Sequence, residues 1–120
     1  MVTKAMGMDS ATGLWNTLYA FGTRSFSIWS ADGRQVWDSG EELERRTSAL
    51  PMVQFNASSS GNSFDDRSDN KGPEPEGVVI GTLGTKTFAF VGLERVGGIM
   101  VYDVTRTAAP RFVTYANTRN

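Results

Sequence analysis

After Gly77 the chain is written as four short apolar runs separated by tight turns. Residues 78–81 read Val-Val-Ile-Gly and stop at Gly84-Thr85, and residues 86–92 alternate around Phe88 and Phe90. A Gly97-Gly98 turn leads to residues 99–103, and residues 107–110 lead to a last run at 111–115. Runs this short, rich in β-branched and aromatic residues and bounded by glycine, predict strands. Strands joined by short connections pair with their sequence neighbours, so the expectation is a four-stranded antiparallel meander over residues 78–116. Its length of about forty residues is that of one propeller blade.

The first half carries a shorter version of the same pattern. Residues 1–14 show no periodicity and read as a flexible leader. Residues 18–21 form an apolar run, and residues 26–29 and 34–37 flank Asp32-Gly33, a dipeptide suited to the positive φ angles of a type I′ hairpin turn. Phe21 and Gly22 line up with Val91 and Gly92, Phe26, Ile28 and Trp29 with Ile99, Val101 and Tyr102, and Val36 and Trp37 with Phe112 and Val113. Residues 15–39 therefore read as a partial blade. Residues 40–50 switch to helical spacing: Ser39 and Glu42 match a capping box, and Glu41/Arg45 and Glu42/Arg46 are four apart. One short helix is expected there, its charges forming a solvated face, with Pro51 as its stop. The whole is an all-β chain of about one and a half to two blades, with that helix, a long polar loop at 51–77 and a tail at 117–120. Blades bury their faces against neighbours, and about three stacked units are normally needed for stability. The partners expected are the remaining blades of a parent propeller or other copies of this chain, and the ending at 117–120 suits an excised piece.

Two absences narrow the chemistry. With no histidine and no cysteine among 120 residues, the histidine-based triads, imidazole ligands, thiolate nucleophiles and disulfides are all unavailable. A metal held by this chain would be a hard cation bound by oxygen, calcium first and magnesium second. Twelve basic residues against thirteen acidic ones give a net charge of −1 and no basic stripe, so nucleic acid is not an expected partner. No apolar run reaches the roughly 18 residues of a membrane span, and residues 1–10 lack the apolar segment of a signal peptide. The chain as given reads as soluble.

The polar loop holds the candidate site residues. Asp65, Asp66, Asp69, Glu74 and Glu76 supply five of the thirteen acidic residues, with Asn70 beside them. Such oxygen donors close in sequence suit calcium, although Arg67 stands where an EF-hand needs a ligand. The alternative is a surface loop whose Asp and Asn side chains cap its own backbone. Glu76 precedes the strand expected to be innermost in its blade, at the mouth of a propeller channel, where it is a candidate contact for a channel ion or ligand, the alternative being an acceptor for a neighbouring blade; Pro73 and Pro75 stiffen the approach. Glu94 and Arg95 lie in the turn between the second and third strands, either as a surface pair or as contacts for an anionic ligand.

Three segments carry a family resemblance: NSFDDRSDNKGPEPEGV at 62–78, FAFVGLERVGGIMVYD at 88–103, and LYAFG followed by RSFSIW at 18–29. They resemble the choice-of-anchor I proteins, exported bacterial β-propellers related to a mesenchyme-specific cell-surface glycoprotein and often labelled alkaline phosphatases. The resemblance spans residues 14–120. Residues 49–54 depart from the aromatic-rich segment that the family places before Phe55 and Asn56. It implies a segment of a longer extracytoplasmic propeller, periplasmic, surface-bound or secreted. Two functions follow: a binding or scaffold module, stabilised by calcium, or part of a calcium-dependent phosphoester hydrolase in which carboxylate-held ions position phosphate and activate water.

Overall fold

The computed structural model describes residues 7–17, 24–50, 54–58, 60–61, 63–117 and 119. The expected strand at 18–21 lies outside the described residues. The meander forms as expected: β3 (Pro75–Leu83), β4 (Lys86–Leu93), β5 (Ile99–Asp103) and β6 (Arg111–Ala116) make one antiparallel sheet in sequence order. A separate hairpin joins β1 (Ser27–Trp29) to β2 (Gln35–Asp38), and one helix, α1 (Glu42–Ser48), follows it. The chain is thus mostly β, with two antiparallel sheets.

The β1–β2 connection departs from a two-residue turn. Gly33 alone takes a positive φ, +80°, and its N–H bonds the Ser30 carbonyl, while the Ser30 N–H bonds the Arg34 carbonyl. That is a longer turn closed by a left-handed glycine, the three-residue class of hairpin loop. Within residues 8–15, Met8 bridges Trp15 and the Asp9 carboxylate accepts from the Ala11 amide at 2.8 Å, so this stretch has local order of its own.

Alternation along the strands decides what is buried. Ala89, Val91 and Leu93 of β4 and Met100 and Tyr102 of β5 point to one face, where Leu43 of α1 joins them. The hairpin closes over that face through aromatic contacts: Phe26 meets Tyr102 at 4.9 Å between ring centroids and Trp37 at 5.2 Å, and Phe112 meets Tyr102 at 5.6 Å. The two contacts to Tyr102 are edge-on and the Phe26–Trp37 pair is tilted, and all three fall within the preferred separations of aromatic pairs. The cover stops short of β3. Val78 and Ile80 pair with Val91 and Ala89 and so share the core face, yet both are more than half exposed. Between them and Phe26 and Ile28 lies an apolar crevice of about 510 Å³.

The helix corrects two expectations. Its N-cap residue is Glu41 and makes no side-chain cap bond, because the Ser39 hydroxyl instead accepts from the Phe26 amide at 3.0 Å. Ser39 is spent on extending the hairpin, so no capping box forms. Nor is the charged face simply solvated. Glu41 and Arg45 meet at 4.0 Å at the surface, but Glu42 and Arg46 meet at 2.5 Å and are half-buried, with the Arg46 guanidinium 3.7 Å from the Phe112 ring centroid. Desolvation against an aromatic face makes that contact worth more than an exposed pair.

Candidate carboxylate site at the β3–β4 end

The polar loop is pinned before it reaches the strand. Asn56, wholly buried, donates its amide to Glu44 Oε1 at 3.0 Å and to Ser68 Oγ at 2.8 Å, and the Ser68 hydroxyl donates to Asp65. Arg24 clamps the same carboxylate, with Nη1 2.6 Å from Glu44 Oε1, and also donates to the Ser68 carbonyl. The backbone closes on itself: Asn70, Lys71 and Gly72 all donate to the Arg67 carbonyl at 3.0–3.1 Å. Gly72 has φ +66°, and a Cβ there would sit 2.8 Å from Glu44 Oε1. Helix α1, the loop and Arg24 therefore meet at one carboxylate. The sequence carries few traces of this knot beyond an Asn at the head of the loop and a Gly-Pro at its foot.

The acidic residues divide as a result. Asp65, Asp66 and Asp69 are exposed, and Asp65 spends an oxygen on Ser68. Among the described residues, the group of carboxylates close enough to share a cation is Glu74, Glu76 and Glu94, with ligand oxygens within 4.8 Å of one another. The structure brings Glu74 and Glu76 to Glu94 and leaves the three aspartates out of that group. Strand β3 begins earlier than the apolar run suggested, at Pro75, so Glu76 lies within it. The register slips between Pro75 and Gly77, leaving Glu76 as the extra residue opposite Leu93 and Gly92. A slip of this kind re-aims a side chain next to a strand end.

Glu74 is the buried member, with φ +50° and 6% of its surface exposed. Arg95 Nε stands 2.6 Å from its Oε2 and Lys71 Nζ 2.7 Å from its Oε1, and the Glu94 amide donates to the Glu74 carbonyl at 2.9 Å. Burial pushes the Glu74 carboxyl up, but the hydrogen bonds and charges of Lys71 and Arg95 outweigh it and hold the group below its ordinary value. The bond to Glu74, reinforced by the charges of Glu74 and Glu94, raises the Arg95 guanidinium in turn. Arg95 also reaches Glu94 Oε2 at 3.4 Å. Glu94 and Arg95 thus form part of a buried-to-surface ion network rather than a lone surface pair. Lys71, three residues before it in the loop, is a direct partner of Glu74. Chemically, three carboxylates against two cations leave one net negative charge, with Glu76 and Glu94 on the solvent side.

Several comparisons bear on what carries this network. The family model described as the choice-of-anchor I domain matches residues 1–107. Gigasin-3a of Magallana gigas is 38% identical over 97 residues, covering 76% of this chain and 34% of its own. The mesenchyme-specific cell surface glycoprotein of Strongylocentrotus purpuratus is 25% identical over 104 residues, covering 75% of this chain and 13% of its own. The chain thus spans about a third of one relative's length and about an eighth of the other's. No solved structure matches it. With the family model covering most of its length, including the loop, the knot and the carboxylate end of the sheet, this chain belongs to the choice-of-anchor I domain family.

Proposed function

We propose that the chain is a sheet module of an extracytoplasmic surface protein, built to stack against further sheets of a propeller, either the remaining blades of a longer parent or other copies of itself. The observation that carries this is the uncovered face of the meander. Val79, Phe90 and Val101 are register partners in a row across three strands, and Ile99 and Leu83 lie on the same side. Val79 is 68% and Leu83 77% exposed. A two-faced apolar sheet is the pattern of strands covered on both sides, and a contiguous apolar patch marks an interaction surface. The relatives' greater length provides room for such partners, and one of them is by name a cell surface glycoprotein. Light scattering across a concentration series tests this, expecting self-association that Val79→Lys with Phe90→Lys abolishes while the melt is retained. A monomer at all concentrations that binds no apolar dye would overturn it.

A second reading is favoured by the Glu74, Glu76 and Glu94 group: a calcium ion bound on the solvent side through Glu76 and Glu94, stiffening the blade end. Its measure is the melt with calcium against chelator, where an unchanged midpoint removes calcium from the account. The hydrolase alternative is less well supported, because Arg95 and Lys71 already occupy the buried carboxylate that such chemistry would use.

A further inference from the structure

The sheet's opposite end carries the opposite charge. There the β3–β4 turn and residues 103–111 border an open crevice of about 320 Å³, lined by Thr85, Lys86, Asp103, Thr105, Arg106 and Arg111 among others. Three cations thus face one carboxylate, a local balance of 3 − 1 = +2. Asp103 is already engaged on both oxygens: Oδ1 accepts from the Thr105 amide at 3.0 Å, and Lys86 Nζ lies 3.4 Å from Oδ2. The guanidinium groups of Arg106 and Arg111 have no hydrogen-bond or ion-pair partner among the described residues. Arg111 is fixed at the start of β6 opposite Asp103, and the Ala109 amide donating to the Arg106 carbonyl at 2.9 Å closes the turn that presents Arg106.

We propose that this crevice is an oxyanion site, taking a phosphate or sulfate group between Arg106, Arg111 and Lys86. Guanidinium forks match tetrahedral oxyanions bidentately, and two of them beside a pocket, without side-chain partners among the described residues, supply what a single surface lysine does not. Thr85 also lines the crevice and adds a neutral hydroxyl donor to its residue set. Because the crevice lies at the far end of the sheet from Glu74, Glu76 and Glu94, the site stands independently of the stacking and calcium readings.

Amide NMR titration of the chain tests it, with sodium phosphate, sodium sulfate and sodium chloride in separate arms at matched ionic strength. Expected are saturable shifts at Thr85, Lys86, Thr105 and Arg111 with phosphate, sulfate or both, and none with chloride; the arm that saturates more tightly identifies the source. Arg106→Gln with Arg111→Gln should weaken binding about tenfold or more, as loss of charge-assisted bonds requires. Asp103→Asn should tighten it by about two- to threefold, because it removes the one opposing charge and frees Lys86. A purely structural role for these residues predicts no tightening. Non-saturable shifts, equal response to chloride, or wild-type affinity in the double variant would overturn the assignment. Should the double variant melt early, the Asp103→Asn arm alone decides.

Discussion

Replacing Glu74 with Gln removes one charge and almost no volume from the most enclosed point of the carboxylate end. The side chain is 5% exposed and carries two short ion pairs, at 2.6 Å to Arg95 and 2.7 Å to Lys71. Removing one partner from a buried pair costs about 3–5 kcal/mol when the other charge is left stranded. Here the stranded partners are not sealed in, since Lys71 and Arg95 side chains are 34% and 24% exposed, and the Gln oxygen keeps one acceptor. The cost is therefore discounted to about 2 kcal/mol. For a chain of this length that is a fall in midpoint of roughly 8 °C by calorimetry near neutral pH. The pH dependence discriminates further. Glu74 is held below its ordinary value of 4.5, so its contribution is fully present above that value and is lost as pH falls through the folded-state pKa. The gap between wild type and Glu74→Gln should thus be widest near pH 7 and close as pH drops below the ordinary carboxyl range. A gap that stays constant with pH, or no gap at pH 7, would refute the claim that the charge on Glu74 holds this end together.

Gly72→Ala should destabilise by about 1–3 kcal/mol, since the residue sits at φ +66° with its would-be Cβ 2.8 Å from Glu44 Oε1 and 3.0 Å from Arg24; urea unfolding measures it, and an unchanged midpoint would mean that the knot yields easily. Leu43→Ala, at a wholly buried helix position in the core cluster, should cost about 2–5 kcal/mol by the same assay. Burial pushes the hydroxyls of Tyr102 and Tyr115 up to about 12. Their phenolate absorbance should therefore appear late in an alkaline titration, and the stability they contribute should persist below pH 10 and fade as pH rises towards 12. Early ionisation of both would show that the sheet does not enclose them.

Local chemistry in the sequence determined the strands. The short apolar runs after Gly77, each ending at a turn residue, specify the meander, its neighbour-to-neighbour order and the alternation that buries Ala89, Val91, Met100 and Tyr102. The absence of histidine and cysteine likewise bounded the chemistry without any structure. What residues far apart in the chain do to each other was not legible in this way. Ser39 and Glu42 have the spacing of a capping box, but the hairpin takes the Ser39 hydroxyl first. Asp65, Asp66 and Asp69 cluster in sequence, yet the loop turns them outward because Glu44, Asn56 and Arg24 hold its interior. The carboxylates that do converge come from a loop end, a strand slip and a turn eighteen or more residues further on, joined through Arg95. Only closure of β3 onto β4 brings Glu94 to Glu74. Periodicity records which face a residue takes within its own element, whereas charge networks depend on which elements touch, and that is decided by tertiary packing.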